Sequence, residues 1–417
     1  MVTFDILLDI PGIEIEKMEI SKEGDIIITV KSTVKGTRCH KCAKWITKPY
    51  GYGREIKLQH LPMWGRNTFI VLTPPRYICE DCDDNPTTTQ QADWYGRKSP
   101  QTRRYEEHIL LSLINSTVSD VSIKEQLGYE AIMGIINRHI SNAVEWSKIG
   151  TVKTLGIDEI SLKKGHKDFV TIITGYADEH LAILGVIQGR KKEDVKAFLS
   201  RMPYKLRKKV KCVCTDMYDG YINAAKEVFG NKVRITVDRF HVAKLYRKGL
   251  EQVRKKEMKL LKDKLPESEH NEFKGVMWSL RKREAELTDD EKITLEALFQ
   301  HIPTLGLAHA LCNELTSIFD SNIKKSNAKT KIQNWITSVK QSSLSCFDTF
   351  ISTLDDRMEE ITNYFVNRQT SGFVEGFNNK IKVIKRRCYG ILNPEHLFQR
   401  IHLDVEGYAL LVDFANN

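Results

Sequence analysis

Three carboxylates stand where a carboxylate is costly or conspicuous. Asp158 follows the apolar run Leu155-Gly156-Ile157, and Asp216 closes the run that begins at Val210. Strand alternation predicts Val210, Cys212, Cys214 and Asp216 on one face. A carboxylate at the end of a buried strand costs free energy unless its charge is compensated, and a hard divalent cation would do this. Glu375 heads the segment 371–390, which otherwise carries five cations: Lys380, Lys382, Lys385, Arg386 and Arg387. Read as a helix over 371–388, the segment gathers Phe373, Phe377, Ile381 and Ile384 into an apolar stripe. Glu375, Asn379, Lys382 and Arg386 fall on the other side. Glu375 then supplies a third metal ligand, and the cations one and two turns further on hold phosphates. Oxygen ligands and a phosphate substrate point to Mg²⁺ or Mn²⁺. Two such ions about 4 Å apart activate the attacking oxygen and stabilise the leaving one. Water as nucleophile gives strand cleavage, and a freed 3′-hydroxyl gives strand transfer. Any one of these acids alone is more simply a surface charge or a helix cap; the combination, in an α/β order of elements, carries the reading. Asp238 and His241 lie at another strand end and border the same site, as positioning or structural groups.

A second constellation is built from sulfur. Four of the nine cysteines form two Cys-x-x-Cys knuckles, Cys39/Cys42 and Cys79/Cys82. In a reducing compartment this pattern favours metal over disulfides, and four thiolates suit tetrahedral zinc. His40 is an alternative ligand. Lys41, Lys44, Lys48, Arg54, Arg66 and Arg76 surround the knuckles and suggest a structural, DNA-contacting role. The stretch 120–140 predicts two short helices broken at Gly128-Tyr129, the second carrying Asn137, Arg138 and His139. Such groups on a recognition helix reach base edges or phosphates; the plainer reading is a helical hairpin packed between domains.

These groups need a scaffold, and the chain is long enough to supply one. Its 417 residues suggest two to four domains. It is 41% hydrophobic and 28% charged, enough apolar content for real cores. A net charge of +10 suggests a polyanionic partner such as double-stranded DNA. No run of 18 apolar residues is present, so no membrane span is expected, and the first residues do not read as a secretion signal. A cytoplasmic, nucleoid-associated protein is the expectation. Residues 1–35 predict a hairpin-like lead-in, and 83–94 read as a linker. Residues 103–147 are helical. From 152 a three-strand meander runs into β-α-β, which predicts an α/β core. From His241 to about 362 the chain is charged and helical. Its basic run 244–264 is either a solvated helix face or a DNA contact.

Taken in order, "GIDEISLKKGH", "CTDMYDGY", "VDRFHV" and "EGFNNKIKVIKRRCYG" resemble the DDE transposases of bacterial insertion sequences, the ISL3 family above all. The resemblance runs from about Cys39 to Arg400. It implies a multidomain α/β protein: N-terminal strands and a zinc-binding module (1–100), a helix-turn-helix (101–149), a ribonuclease-H-like core (150–240 and 363–417), and an all-helical insertion (241–362). It also implies Asp158, Asp216 and Glu375 as the catalytic, magnesium-binding acids and Cys39, Cys42, Cys79 and Cys82 as the zinc ligands. DNA contacts are expected at Asn137, Arg138, Asn379, Lys382, Lys385, Arg386 and Arg387. Trp278 and Trp335 are expected to stack on a flipped or terminal base, unless they are core. The implied activity is two-metal cleavage and strand transfer at the terminal inverted repeats of the protein's own element. A homodimer or larger assembly is expected on paired ends. A non-catalytic, domesticated DNA-binding regulator is the alternative, and a structure-selective nuclease is a weaker third.

Overall fold

The computed structural model describes residues 8 and 10–415, except 164–166, 178–179, 343, 367 and 389–390. Side chains are described for the same residues apart from 167, 177, 369–375 and 412–415. The chain forms two compact units, residues 1–140 with 402–417, and residues 141–401.

In the first unit, β1 (Ile13–Ile20) and β2 (Ile26–Ser32) form the expected hairpin. β3 (Thr37–Arg38), β4 (Trp45–Ile46) and β5 (Pro49–Tyr52) follow, then β6 (Ile56–Met63), β7 (Arg66–Leu72), β8 (Pro75–Ile78) and β9 (Thr87–Thr89). A four-stranded sheet has the order β1-β2-β7-β6, with β2 and β7 parallel. Ile26, Ile28, Val30, Leu58, Ile70 and Leu72 fill one face, as alternation in each strand requires. The stretch 83–94 is not a linker. Thr87–Thr89 pair with β8, and the buried Gln90 amide donates to the carbonyls of Val34 (2.9 Å) and Gly36 (2.8 Å). Polar composition concealed this, because the segment is held by hydrogen bonds rather than by apolar burial.

Three helices, together with the helical residues 402–415, complete the unit: α1 (Arg103–Leu113), α2 (Val118–Lys124) and α3 (Tyr129–His139). Thr102 and Thr117 cap the first two by accepting from backbone N–H groups three residues on. Ile109, Leu110 and Leu113 pack with Val121, Ile132, Ile135 and Ile136, and with Leu403 and Leu411 near the C-terminus.

The second unit contains a five-stranded sheet of β10 (Val152–Lys163), β11 (Lys167–Ala177), β12 (His180–Gln188), β13 (Cys212–Thr215) and β14 (Arg234–Val237), in the order β12-β11-β10-β13-β14. The first three run antiparallel; β13 and β14 are parallel to β10. Residues 154–157 of β10 are buried on both sides, as a central strand's must be. α4 (Lys192–Ser200), α5 (Tyr204–Arg207) and α6 (Asp219–Phe229) lie among these strands in sequence. Gly185 of β12 admits the Phe198 ring of α4; a Cβ there would come within 2.4 Å of it. Val210 precedes β13 and packs with Val213, while Cys212 and Cys214 form a separate cluster. Val210 therefore does not share their face: the strand starts after it, so alternation cannot be extended back to it.

The α-helices after β14 are α7 (Arg239–Lys262), α8 (Glu267–Glu272), α9 (Val276–Ser279), α10 (Asp289–His301), α11 (Pro303–Asp320), α12 (Lys325–Gln341), α13 (Asp348–Thr362), α14 (Arg368–Arg387) and α15 (Pro394–Ala415). A continuous apolar core runs from Val237 to Phe365 through α7–α13. Gly249 lets α7 approach the backbone of Cys346, whose oxygen would lie 2.5 Å from a Cβ. No described helix is long and apolar enough to cross a membrane.

Candidate active site and metal centre

The two aspartates meet because of strand register. β10 and β13 run parallel with Ile157 opposite Thr215. The next residues are Asp158 and Asp216, so register brings both to the same end of adjacent strands, which lie about 4.8 Å apart. The Glu159 N–H donates to Asp158 Oδ1 at 2.8 Å, and the Tyr218 N–H to Asp216 Oδ1 at 2.9 Å. The second bond is an Asx turn that carries the chain from β13 towards α6. Asp238 follows β14, donates its N–H to Thr215 O at 3.0 Å and caps α7 by accepting from Phe240 N. Phe240 thus lies in the first turn of α7. Asp158, Cys214, Asp216, Asp238, His241 and Asn378 line one small cavity of about 10 Å³, room for roughly one water-sized atom.

Burial pushes the carboxyl groups of Asp158 and Asp216 above the ordinary aspartate range. For Asp158 the Glu159 N–H, Lys382 and His241 oppose the rise and Asp238 adds to it. For Asp216 the Tyr218 N–H, His241 and Arg190 oppose it and Asp158 adds to it. Lys382 Nζ is 4.0 Å from Asp158 Oδ2, too long for a tight pair. Two adjacent carboxylates offering hard oxygen donors fit a divalent cation such as Mg²⁺ or Mn²⁺.

α14 supplies the remaining wall. Phe377, Ile381 and Ile384 are buried, as the sequence stripe requires. The side chains of Phe373 and Glu375 lie outside the described residues. Position 375 is one helical turn ahead of Asn378, whose buried side chain lines the aspartate cavity. Lys385 Nζ donates to Ser161 O of β10 at 2.5 Å. This ammonium is spent on the fold. Asn379, Lys382 and Arg386 are exposed, and Arg387 is half-buried.

Two groups escaped the sequence reading. Asn378 had a signal: it stands three residues after Glu375 and four before Lys382, on one helical face. Arg190 had none. It stacks over Phe169 and Tyr218, at 5.1 and 5.5 Å, and its Nη1 is 3.4 Å from Glu159, a placement made by strands distant in sequence.

The four thiols form a different kind of centre. The sulfurs of Cys39, Cys42, Cys79 and Cys82 lie within 4.8 Å of one another, and two of the separations are 3.7 Å. Zinc–sulfur bonds of about 2.3 Å in a tetrahedron demand sulfur separations of about 3.8 Å, so the residues fit zinc. The backbone N–H groups of Cys42 and Lys41 draw the Cys39 thiol down to about 6, while burial and the other sulfurs push Cys82 up to about 12. His40 instead places Nδ1 3.0 Å from the Thr88 hydroxyl. The cations expected to meet DNA here are largely engaged within the module. Lys41 pairs with Asp84, Lys44 with Asp81 at 3.2 Å, and Lys48 with Glu80. Arg66 donates to Gly24 O at 2.9 Å, and Arg76 to Thr87 at 2.5 Å.

On α3, Arg138 is exposed, but its guanidinium is committed. Nε lies 2.9 Å and Nη2 2.5 Å from Glu106 Oε1, and His139 Nε2 lies 2.7 Å from Oε2. Asn137 is exposed. The two tryptophans diverge. Trp278 is 63% exposed with the Arg281 guanidinium 5.6 Å from its ring. Trp335 corrects the expectation of a base-stacking platform: it is 0% exposed, packs edge-on against Phe347 and Phe350, and donates its indole N–H to Leu311 O at 2.8 Å. A satisfied, fully enclosed indole is a core residue.

Comparison with known proteins places both centres in context. Residues 155–401 match the model of the ISL3-type DDE family, described as "Transposase". Residues 35–82, which include all four knuckle cysteines, match a model described as "zinc-finger of transposase IS204/IS1001/IS1096/IS1165". The chain is 26% identical over 404 residues to the transposase for insertion sequence element IS1001 of Bordetella parapertussis, covering 95% of this chain and 96% of that one. It is 19% identical over 392 residues to the transposase for insertion sequence element IS1557 of Mycobacterium tuberculosis (strain CDC 1551 / Oshkosh), covering 89% and 85%.

Proposed function

Because the chain belongs to the ISL3 family of transposases, we propose that it moves its own insertion sequence by metal-dependent phosphoryl transfer at Asp158, Asp216 and Glu375. The observation that carries this reading is the pair of aspartates on adjacent parallel strand ends, both held above their ordinary pKa, with α14 closing their cavity. An antiparallel three-strand meander with two further parallel strands beside its first strand supports a ribonuclease-H-like core. In this reading the core comprises 150–240 and 363–417, interrupted by the helical insertion 241–362. Residues 1–100 form the zinc-binding module and 101–149 the helix-turn-helix.

Bound Mg²⁺ or Mn²⁺ ions would activate the attacking oxygen and neutralise charge on the leaving one. Asp158, Asp216 and Glu375 are the residues that hold them. The backbone N–H groups of Glu159 and Tyr218 fix one oxygen of each aspartate and leave the other available. Asn378 offers a neutral amide to orient a reacting oxygen, and Asp238 and His241 complete the wall. Lys382, Asn379, Arg386 and Arg387 carry the phosphates of the strand being cut; Lys385 anchors α14 to β10 instead. Trp278 is the exposed ring suited to stack on a displaced base. End recognition falls to α3, where Asn137 is exposed. Joining requires two paired ends, so the active species is a homodimer or a larger assembly.

The test is incubation of the purified protein, with Mg²⁺ or Mn²⁺, with DNA carrying the ends that flank its gene, beside Glu375→Gln. Cutting at the element boundary by the native protein alone is the expected result. Specific binding with no cutting by either protein would overturn the catalytic reading in favour of a regulator. Cutting that never yields a strand-transfer product would make it a nuclease.

A further inference from the structure

Helix α7 begins at the carboxylate cavity, and its buried face is set by Val242, Tyr246, Gly249 and Leu250. On the opposite face, 3.6 residues per turn bring Lys244, Lys248, Lys255, Lys259 and Lys262 within an arc of about 60°. All five are exposed. Lys255 Nζ lies 3.7 Å from Glu251, while the other four make no ion pair among the described residues. Glu251, beside the row, is already held by Arg254 through two bonds of 2.9 and 2.7 Å. Like charges three and four positions apart on a helix repel, so the row is unfavourable without a counter-charge. The lysines at the zinc knuckles, by contrast, each have an acid beside them. The row also leads somewhere: Lys244 and Lys248, with Tyr218 and His241, wall a cavity of about 370 Å³ that opens beside Asp216.

We infer that this lysine row is a phosphate track that grips the DNA flanking the element, outward from the bond to be cut. The inference rests on the transposase reading above. From Lys244 to Lys262 the helix rises about 27 Å, the length of about eight nucleotides of one strand. The cavity beside Asp216 has the volume to take the first of these nucleotides. Ammonium groups are point charges that hold phosphates without reading bases. Flanking DNA has a different sequence at every insertion site, so a sequence-blind grip is the chemistry that side of the bond requires.

The test uses the full chain with Lys248, Lys259 and Lys262 changed together to glutamine, and in a second variant to arginine. Glutamine keeps helix propensity, and all three positions are exposed. Binding to a DNA end that retains a flank longer than the track is measured against salt, without divalent cations. The plot of log affinity against log salt should be less steep by about 2.7 for the glutamine variant and unchanged for the arginine variant. Removing the flank should abolish the difference between native and glutamine proteins, since each change then removes the same contact. Equal slopes on flanked DNA, or a difference that persists without the flank, would overturn the track. These readouts need no cleavage, so they separate a failure of the track from a failure of the catalytic reading.

Discussion

Glu106 and Asp158 are both carboxylates largely withdrawn from solvent, and the protein treats them in opposite ways. Burial works against ionising Glu106, but hydrogen bonds from His139, Ser99 and Arg138 more than offset it, and its carboxyl is held below the ordinary range. Asp158 receives one backbone N–H and a lysine at 4.0 Å, and with Asp216 beside it the balance goes the other way. A carboxylate that serves the fold is surrounded by its counter-charges. Among the described residues the Asp158–Asp216 pair has only Lys382, at 4.0 Å, within ion-pair reach, which suits a site for an incoming cation. The four thiols are a third case, in which the ligands are gathered closely enough for one metal ion to hold them together.

The contrast can be broken in several places. Stripping zinc should have the largest effect, since a structural zinc contributes on the order of 10 kcal/mol to a small module. The strands around the knuckles should become sensitive to protease, while the 141–401 unit resists. Survival of the knuckles without metal would remove zinc from the account. Next, Asp158→Asn should lower strand cleavage by about a thousandfold, some 4 kcal/mol of barrier, yet melt no lower than native protein in divalent-free buffer. A large loss of stability would show that Asp158 is structural after all.

Glu106→Gln should do the reverse. It leaves Arg138 and His139 facing a neutral amide and should cost about 3 kcal/mol in the stability of the first unit, read by denaturant melting. Cleavage of a pre-bound end should change little by comparison. The smallest effect concerns pH. Stability from Glu106, whose folded pKa is lowered, is present above about pH 4 and is lost as pH falls through that folded value. For Asp158 and Asp216, whose folded pKa values are raised, it is present below about pH 4 and lost as pH rises through theirs. Without divalent cations the 141–401 unit should therefore melt a few degrees higher in mild acid than at neutrality. Mg²⁺ should recover that difference at neutral pH. A melting curve indifferent to Mg²⁺ in native protein would remove the pairing of these acids with a cation.

Much of the scaffold was legible because it rests on local rules. The period of α14 sends Phe377, Ile381 and Ile384 inward, and the apolar runs before Asp158 and Asp216 become β10 and β13. What escaped depends on partners distant in sequence. Arg138 has the look of a recognition residue until Glu106, 32 positions earlier, claims it. Trp335 offers a large ring, and only the packing of Phe347 and Phe350 around it makes it core. The polar segment after Cys82 has no apolar pattern to report that Gln90 is buried. Asn378 was displaced by its neighbour Asn379 because a helical stripe resolves faces only to about one residue. The two cations that reach the sheet, Lys382 and Lys385, were legible as cations but not as to which one serves β10.

The central claim is that the carboxylates of Asp158 and Asp216 hold the cation that does the chemistry. The most direct measurement is cleavage of an element end by Asp216→Cys in Mg²⁺ and, separately, in Mn²⁺. Sulfur is a poor ligand for Mg²⁺ and a better one for the softer ion. The account predicts no cutting in Mg²⁺ and partial recovery in Mn²⁺ beyond any gain the native protein shows. Native-level cutting by the variant in both ions would contradict it.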